Sequence, residues 1–331
     1  MKDVKILPEL LKGDIHIPPS KSLCHRAIIA AALSNGQSII RNVVLSEDIL
    51  ATIDGVQALG ASVTFEQGQL IIEGCKLGAK KNCTIDCNES GSTLRFLIPL
   101  ALLTNTTISF VGQGNLCSRP LEPYIEIFEE QDIFYSDKNL PMNVKGQLKP
   151  GIFKLNGNIS SQFITGLMFA LPLLEEDSTI LIAEPLESKG YIDLTIDVLN
   201  SFGITIINHD YKSFFVKGNQ EYKKTLYTVE GDYSQAAFWL AAGALGGDIS
   251  CIGLNQNSKQ GDRIIIELLK TIGARIETSD SHLKAKSCAL QAFEVDVSQC
   301  PDLAPILAVV AALSEGTSTI TGAARLRIKE C

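Results

Sequence analysis

The chain has 331 residues, 45% of them apolar, and a formal net charge of −8. That length allows about two domains with sizeable cores, and the acidic balance excludes a general nucleic-acid surface, so any anion site must be local. The first residues lead into no long apolar stretch, so no signal peptide is expected, and the longest apolar runs, 236–245 and 304–313, are too short to span a bilayer. Nine irregularly spaced cysteines and four scattered histidines form no disulfide framework and no metal-ligand pattern. Reduced structural thiols, a cytoplasmic setting and the absence of metal and cofactor are the expectations.

In chain order, a strand-like stretch at 14–17 runs into Pro18-Pro19, and the apolar run 27–33 follows. Two prolines stand before a helix rather than inside one, which puts Ser20 or Ser22 at its cap. Lys21 and Arg26 then fall in the first turns, at the positive end of the helix dipole, where cations are disfavoured. Backbone N–H groups, the dipole and two cations together make an anion site. A second helix over 48–59 stops at Gly60, and two strands, 62–65 and 70–72, follow.

The same passage recurs. Gly91-Ser92-Thr93-Leu94-Arg95, Ser160-Ser161-Gln162-Phe163, Gly231-Asp232-Tyr233-Ser234-Gln235 and Pro301-Asp302-Leu303 each open an apolar helix. With the first, the openings lie at 20, 91, 160, 231 and 301, spacings of 71, 69, 71 and 70. This is an internal repeat, with a short strand ahead of each later opening, as at 84–87, 153–155 and 227–229. Second helices at 191–202 and 262–272 end at Gly203 and Gly273, as the first ends at Gly60. The unit reads βαβαββ, and strands alternating with helices imply parallel pairing with crossovers.

Several residues are hard to explain by folding alone. Arg119 is a cation immediately before Pro120, at another helix mouth. Ser160-Ser161-Gln162 supplies three hydrogen-bonding side chains where one would cap a helix. Ser188-Lys189 opens a helix, and Asp302 sits in a first helical turn. Gly112-Gln113-Gly114 follows a strand, but Cys117 stands where a dinucleotide fingerprint needs its third glycine, so nucleotide binding is not expected.

Seven passages, in order along the whole chain, resemble the 5-enolpyruvylshikimate-3-phosphate synthase family. They are Pro19-Ser20-Lys21-Ser22 with Arg26-Ala27, Glu89 to Arg95, Ser118-Arg119-Pro120-Leu121, Ser160-Ser161-Gln162-Phe163, Ser188-Lys189-Gly190-Tyr191-Ile192-Asp193, Pro301-Asp302, and Arg325 to Glu330. The resemblance implies an α/β, two-domain enolpyruvyl-transferase fold built from βαβαββ units. Five helix-opening motifs are present, the fifth unit is cut short, and the sixth, about 100 residues with the end of the fifth, is missing by the repeat period. On this reading 20–224 is the first domain, with three units, and 1–19 with 225–331 the truncated second.

The implied reaction transfers the enolpyruvyl group of phosphoenolpyruvate to the 5-hydroxyl of shikimate 3-phosphate through a tetrahedral adduct, releasing phosphate by C–O cleavage. By correspondence with the family, Lys21, Gly91, Arg119 and Gln162 contact phosphoenolpyruvate. Lys21, Ser22, Arg26, Ser160, Ser161, Gln162, Ser188, Asp302 and Lys329 contact shikimate 3-phosphate. Lys21, Asp302 and Glu330 are the expected catalytic residues, with Asp302 as base for the attacking hydroxyl and Glu330 as proton donor to the enol carbon. Neither membrane nor nucleic acid is an implied partner, and the full-length state is expected to be a monomer. Two alternatives are a UDP-N-acetylglucosamine enolpyruvyl transferase, which shares the fold, and a non-catalytic anion-binding fragment.

Overall fold

The computed structural model describes residues 4–5, 7, 9–78, 83–183, 186–279 and 282–328. Strand β1 is Lys12–His16. The first copy continues with α1 (Lys21–Ala32), β2 (Gln37–Arg41), α2 (Glu47–Ala58), β3 (Ser62–Glu66) and β4 (Gln69–Glu73). The second comprises β5 (Cys83–Asp86), α3 (Gly91–Ala101), β6 (Ile108–Val111), α4 (Glu122–Glu130), β7 (Phe134–Tyr135) and β8 (Met142–Lys145). The third comprises β9 (Ile152–Asn156), α5 (Ser161–Ala170), β10 (Ser178–Ala183), α6 (Lys189–Ser201), β11 (Ile206–His209) and β12 (Ser213–Val216). Strand β13 (Leu226–Thr228) precedes α7 (Tyr233–Gly246), β14 (Asp248–Ile252), α8 (Ile265–Thr271), β15 (Arg275–Thr278) and β16 (His282–Lys286). Last come β17 (Glu294–Asp296), a 3-10 turn at Pro301–Leu303, α9 (Ala304–Leu313) and β18 (Thr319–Thr321).

Contacts divide the chain into two compact units. One holds the residues up to Pro18 with Glu230–Ala324, the other Pro19–Val229 with the chain from Arg325 onward. Three sheets of the larger unit share one plan, β13-β2-β4-β3, β5-β6-β8-β7 and β9-β10-β12-β11, and the smaller unit repeats it as β1-β14-β16-β15. In each, the first pair is parallel and the remaining pairs are antiparallel. The expected parallel pairing is found at the first pair of each sheet and does not extend to the others. Where the first two strands are consecutive in the chain, as in β5-β6 and β9-β10, a helix must carry the chain back between them, whereas the last two strands of each sheet are neighbours across a short connection.

A second correction concerns 227–229. The stretch expected to open the fourth copy instead supplies β13, beside β2 of the first copy, with Leu226 opposite Ile39 and Thr228 opposite Arg41. The fourth copy takes its opening strand from β1, with Lys12 opposite Asp248 and His16 opposite Ile252.

Local chemistry explains the helix limits. Ser46, Ser90, Ser160 and Asp232 cap α2, α3, α5 and α7 through their side-chain oxygens, which accept from backbone N–H groups of the first turn. Gly60, Gly203 and Gly273, read as stops, take φ values of +115°, +83° and +101°, which a side chain would strain. Helix α1 is buried from Leu23 to Ala32, and α3 and α5 are buried almost as completely, so these three form the centre of the larger unit. In the smaller unit α9 buries Ile306, Leu307 and Val310 but exposes Val309 (48%) and Leu313 (65%), an apolar stripe on the opposite face. Among the described residues no helix is long and apolar enough to cross a membrane.

Candidate active site

Gly91 is the first residue of α3, one past the Ser90 cap. A β-carbon built on it would lie 3.0 Å from Nη1 of Arg119, 3.1 Å from Nη1 of Arg95 and 3.4 Å from Oε1 of Gln162. Two guanidinium groups and an amide therefore close around a backbone that only glycine leaves open. Arg95 donates through Nη1 to Oε1 of Gln162 at 2.6 Å and through Nη2 to the Pro120 carbonyl at 3.2 Å. Its guanidinium also lies over the Phe163 ring, 5.0 Å from the centroid. Gln162 in turn donates through Nε2 to the Ser92 hydroxyl at 3.0 Å. The first turns of α3 and α5 are thus tied side chain to side chain, and their outward N–H groups, with Arg95 and Arg119, are suited to an anion.

Lys21 opens α1 and bonds the Asp48 carboxylate at 2.6 Å. Asp48 belongs to α2, and its backbone carbonyl lies 3.4 Å from Thr93 Oγ1 of α3. Lys21 is therefore connected through one residue to the turn that begins at Gly91. The ion pair is partly open to solvent, with 51% of the lysine side chain exposed.

Behind this layer runs a buried hydroxyl chain. Nδ1 of His25 lies 2.7 Å from Thr52 Oγ1, which lies 2.6 Å from Thr93 Oγ1, which donates to Ser90 Oγ at 2.7 Å. With Thr93 donating forward, Thr52 donates to Thr93 and His25 donates through Nδ1–H, so the neutral Nδ1–H tautomer fits the chain. Burial, reinforced by the nearby Lys21 charge, lowers the His25 pKa to about 3.

Arg26 is buried, 2% exposed, between the first turns of α1 and α6. It donates through Nε to Thr195 Oγ1 at 2.8 Å, and through Nη1 and Nη2 to the carbonyls of Ser22 and Tyr191 at 2.7 and 3.1 Å. Its guanidinium lies over the rings of Phe96 and Tyr191, and burial lowers its pKa to about 10. The side chain thereby joins α1 to α6, and Thr195 continues to Thr165 of α5 at 2.9 Å.

The other expected residues are distributed as follows. Ser160 caps α5 by accepting from Gln162 N–H at 3.3 Å, and Ser161 is buried beside it. Ser20 holds the cap position of α1 without a capping side-chain bond. Ser188 precedes α6 in the left-handed region, at φ +57°, and is 1% exposed. A non-glycine residue held there is costly, a mark of functional positions. Asp302 belongs to the smaller unit, half-buried in the 3-10 turn before α9. Lys329 and Glu330 lie outside the described residues. Cys117 bonds the Gly112 carbonyl through Sγ in a 3-10 turn, Gly114–Ser118, where a dinucleotide fingerprint would open a long helix. Among the described residues no group of His, Cys, Asp and Glu could hold a metal ion.

Arg95 is the residue that sequence reasoning left out of the site. The signal was present: a lone cation inside the apolar run Leu94-Arg95-Phe96-Leu97, with no acidic residue in that helix. A charge buried in such a segment needs a partner or a ligand.

Residues 7–331 match the EPSP synthase (3-phosphoshikimate 1-carboxyvinyltransferase) family. A protein of Clostridium perfringens named 3-phosphoshikimate 1-carboxyvinyltransferase is 55% identical over 335 residues, covering 100% of this chain and 79% of the relative. The protein of the same name from Clostridium acetobutylicum is also 55% identical, with 78% of its length covered. Among solved structures, EPSP synthase from Acinetobacter baumannii superposes with a TM-score of 0.81 at 24% identity, over 97% of this chain and 76% of that one. The enolpyruvyl transferase NikO from Streptomyces tendae gives 0.74 at 15% identity, over 94% and 75%. At those identities the structural likeness speaks for the fold.

Proposed function

The chain belongs to the EPSP synthase (3-phosphoshikimate 1-carboxyvinyltransferase) family, and we propose on that footing that it acts on phosphoenolpyruvate and shikimate 3-phosphate. The 5-hydroxyl oxygen of shikimate 3-phosphate bonds to C2 of phosphoenolpyruvate while C3 gains a proton. Loss of a C3 proton from the tetrahedral adduct then expels phosphate by C–O cleavage.

The observation that carries the reading is the cradle at Gly91, with Arg119, Arg95 and Gln162 within 3.4 Å of the missing side chain. Both substrates are polyanions. A helix end contributes only about 0.3–1 kcal/mol per exposed charge, and a hydrogen bond to a charged group about 1.5–3 kcal/mol. Cations at the helix mouths are therefore required, and Lys21 and Arg119 supply them. In this reading Lys21, Gly91, Arg119 and Gln162 hold phosphoenolpyruvate. Lys21, Ser22, Ser160, Ser161, Gln162, Ser188, Asp302 and Lys329 hold shikimate 3-phosphate. Arg26 belongs to the same set and acts through α6, given the bonds that it makes. Asp302 takes the hydroxyl proton and Glu330 supplies the one at C3; separate environments must keep one ionised and the other protonated.

Phosphate release from the two substrates tests the reading. Release that requires both, together with a product in which the carboxyvinyl ether sits on the 5-oxygen, supports it. Release that requires a UDP-amino sugar instead of shikimate 3-phosphate overturns it.

A further inference from the structure

Helices α1, α3 and α5 have two sets of ends. The N-terminal ends carry Lys21, Gly91 and Gln162. The C-terminal ends open onto a separate cavity of about 660 Å³ in the same unit, and no residue of the cradle lines it. Its construction is threefold. Leu33, Leu103 and Leu173 stand at the helix ends, and the segments 74–77, 147–150 and 220–222, each following a hairpin, form the walls. In every copy a wall residue bonds the end of the helix or the turn just past it. Cys75 N–H donates to the Ala32 carbonyl at 3.0 Å, Leu148 N–H to that of Leu102 at 3.3 Å, and Gln220 N–H to that of Pro172 at 2.8 Å.

These bonds satisfy wall backbone that would otherwise seek water, and leave an apolar floor. Leu33, Leu148, Leu174 and Tyr222 are buried there. Around the floor stand Glu175, Glu176 and Glu221, against Lys76 and Lys149. Each helix C-terminus carries roughly half a negative charge and favours cations. Three such ends and three carboxylates outweigh two ammonium groups. The volume falls in the range of small-molecule sites, about 300–1,000 Å³.

We propose that this cavity binds an organic ammonium, with its apolar body on the leucine floor and its charged head toward Glu175, Glu176 and Glu221. A neutral analogue of the same shape keeps only the floor, and a carboxylate meets the helix ends with the wrong sign.

The test titrates benzylammonium, benzyl alcohol and benzoate into the full chain. Binding is followed through leucine methyl resonances, those of Leu103 and Leu174 being identified by substitution. Saturable shifts of these two, with benzylammonium binding about tenfold more tightly than benzoate, are expected. Combined Glu175→Lys, Glu176→Lys and Glu221→Lys changes, all on exposed side chains, should reverse that order. Leu103→Trp should fill the floor and abolish binding of all three. No shift at these methyls with benzylammonium, equal affinity for benzoate, or an order unchanged by charge reversal would each overturn the proposal.

Discussion

Oε1 of Gln162 accepts a 2.6 Å hydrogen bond from Nη1 of Arg95, 67 residues earlier in the chain. The bond joins the first turns of two repeats and holds one guanidinium in place beside Gly91. Replacing Gln162 by Leu removes an acceptor from a buried cation and frees Ser92. A loss of about 1.5–3 kcal/mol is expected for a hydrogen bond to a charged group. Thermal unfolding and phosphoenolpyruvate KM, measured on the same variant, check it, and both should worsen.

Gly91→Ala tests the cradle from the other side. The new methyl group would sit 3.0 and 3.1 Å from two guanidinium nitrogens, so those side chains must shift by a few tenths of an ångström. Phosphoenolpyruvate KM should rise about tenfold, equivalent to about 1.4 kcal/mol, with shikimate 3-phosphate affinity little changed. An unaltered phosphoenolpyruvate KM would separate Gly91 from the substrate.

Lys21→Met should divide stability from binding. Its ion pair with Asp48 is partly open to solvent, and pairs at the surface contribute about 0–1 kcal/mol. The melting temperature should therefore hardly move, while calorimetric affinity for shikimate 3-phosphate falls at least tenfold.

His25 sets an acid limit. Its pKa is about 3 in the folded chain against an ordinary 6.5. Between those values the unfolded chain binds a proton that the folded chain refuses, so stability is present above pH 6.5 and is lost as pH falls toward 3. His25→Gln should flatten the dependence of the melting temperature on pH across that window. An unchanged slope would mean that other groups dominate acid unfolding.

Asp302→Asn and Glu330→Gln should each lower kcat by about 10²–10⁴, the range of general acid–base catalysis, with modest effect on shikimate 3-phosphate affinity. Near-normal turnover in either variant would remove that residue from proton transfer.

What could be read from the sequence was local. Helix openings and the glycine stops at 60, 203 and 273 depend on neighbours within a few residues, and their chemistry is written in order along the chain. Strand partners are not. Thr228 lies opposite Arg41 across nearly the whole larger unit, and nothing in 227–229 distinguishes that partner from a nearer one. The cradle was legible where a residue was odd in its own setting, as with Arg119. Arg26 looked equally odd, and its donors are taken up by the Ser22 carbonyl of its own helix and by Thr195 and the Tyr191 carbonyl of α6. Arg95 was odd in the same way, a lone cation in an apolar helix, but only the approach of α5 shows what its guanidinium serves.

The most direct measurement is calorimetric titration of shikimate 3-phosphate into this 331-residue chain, beside the Arg119→Ala and Ser161→Ala variants. The account predicts one site per chain. Affinity should drop with Ser161→Ala and be largely kept with Arg119→Ala, which is assigned to phosphoenolpyruvate. A folded chain that takes up no shikimate 3-phosphate, or binds it equally well without the Ser161 hydroxyl, would contradict the assignment of the α5 helix mouth to this substrate.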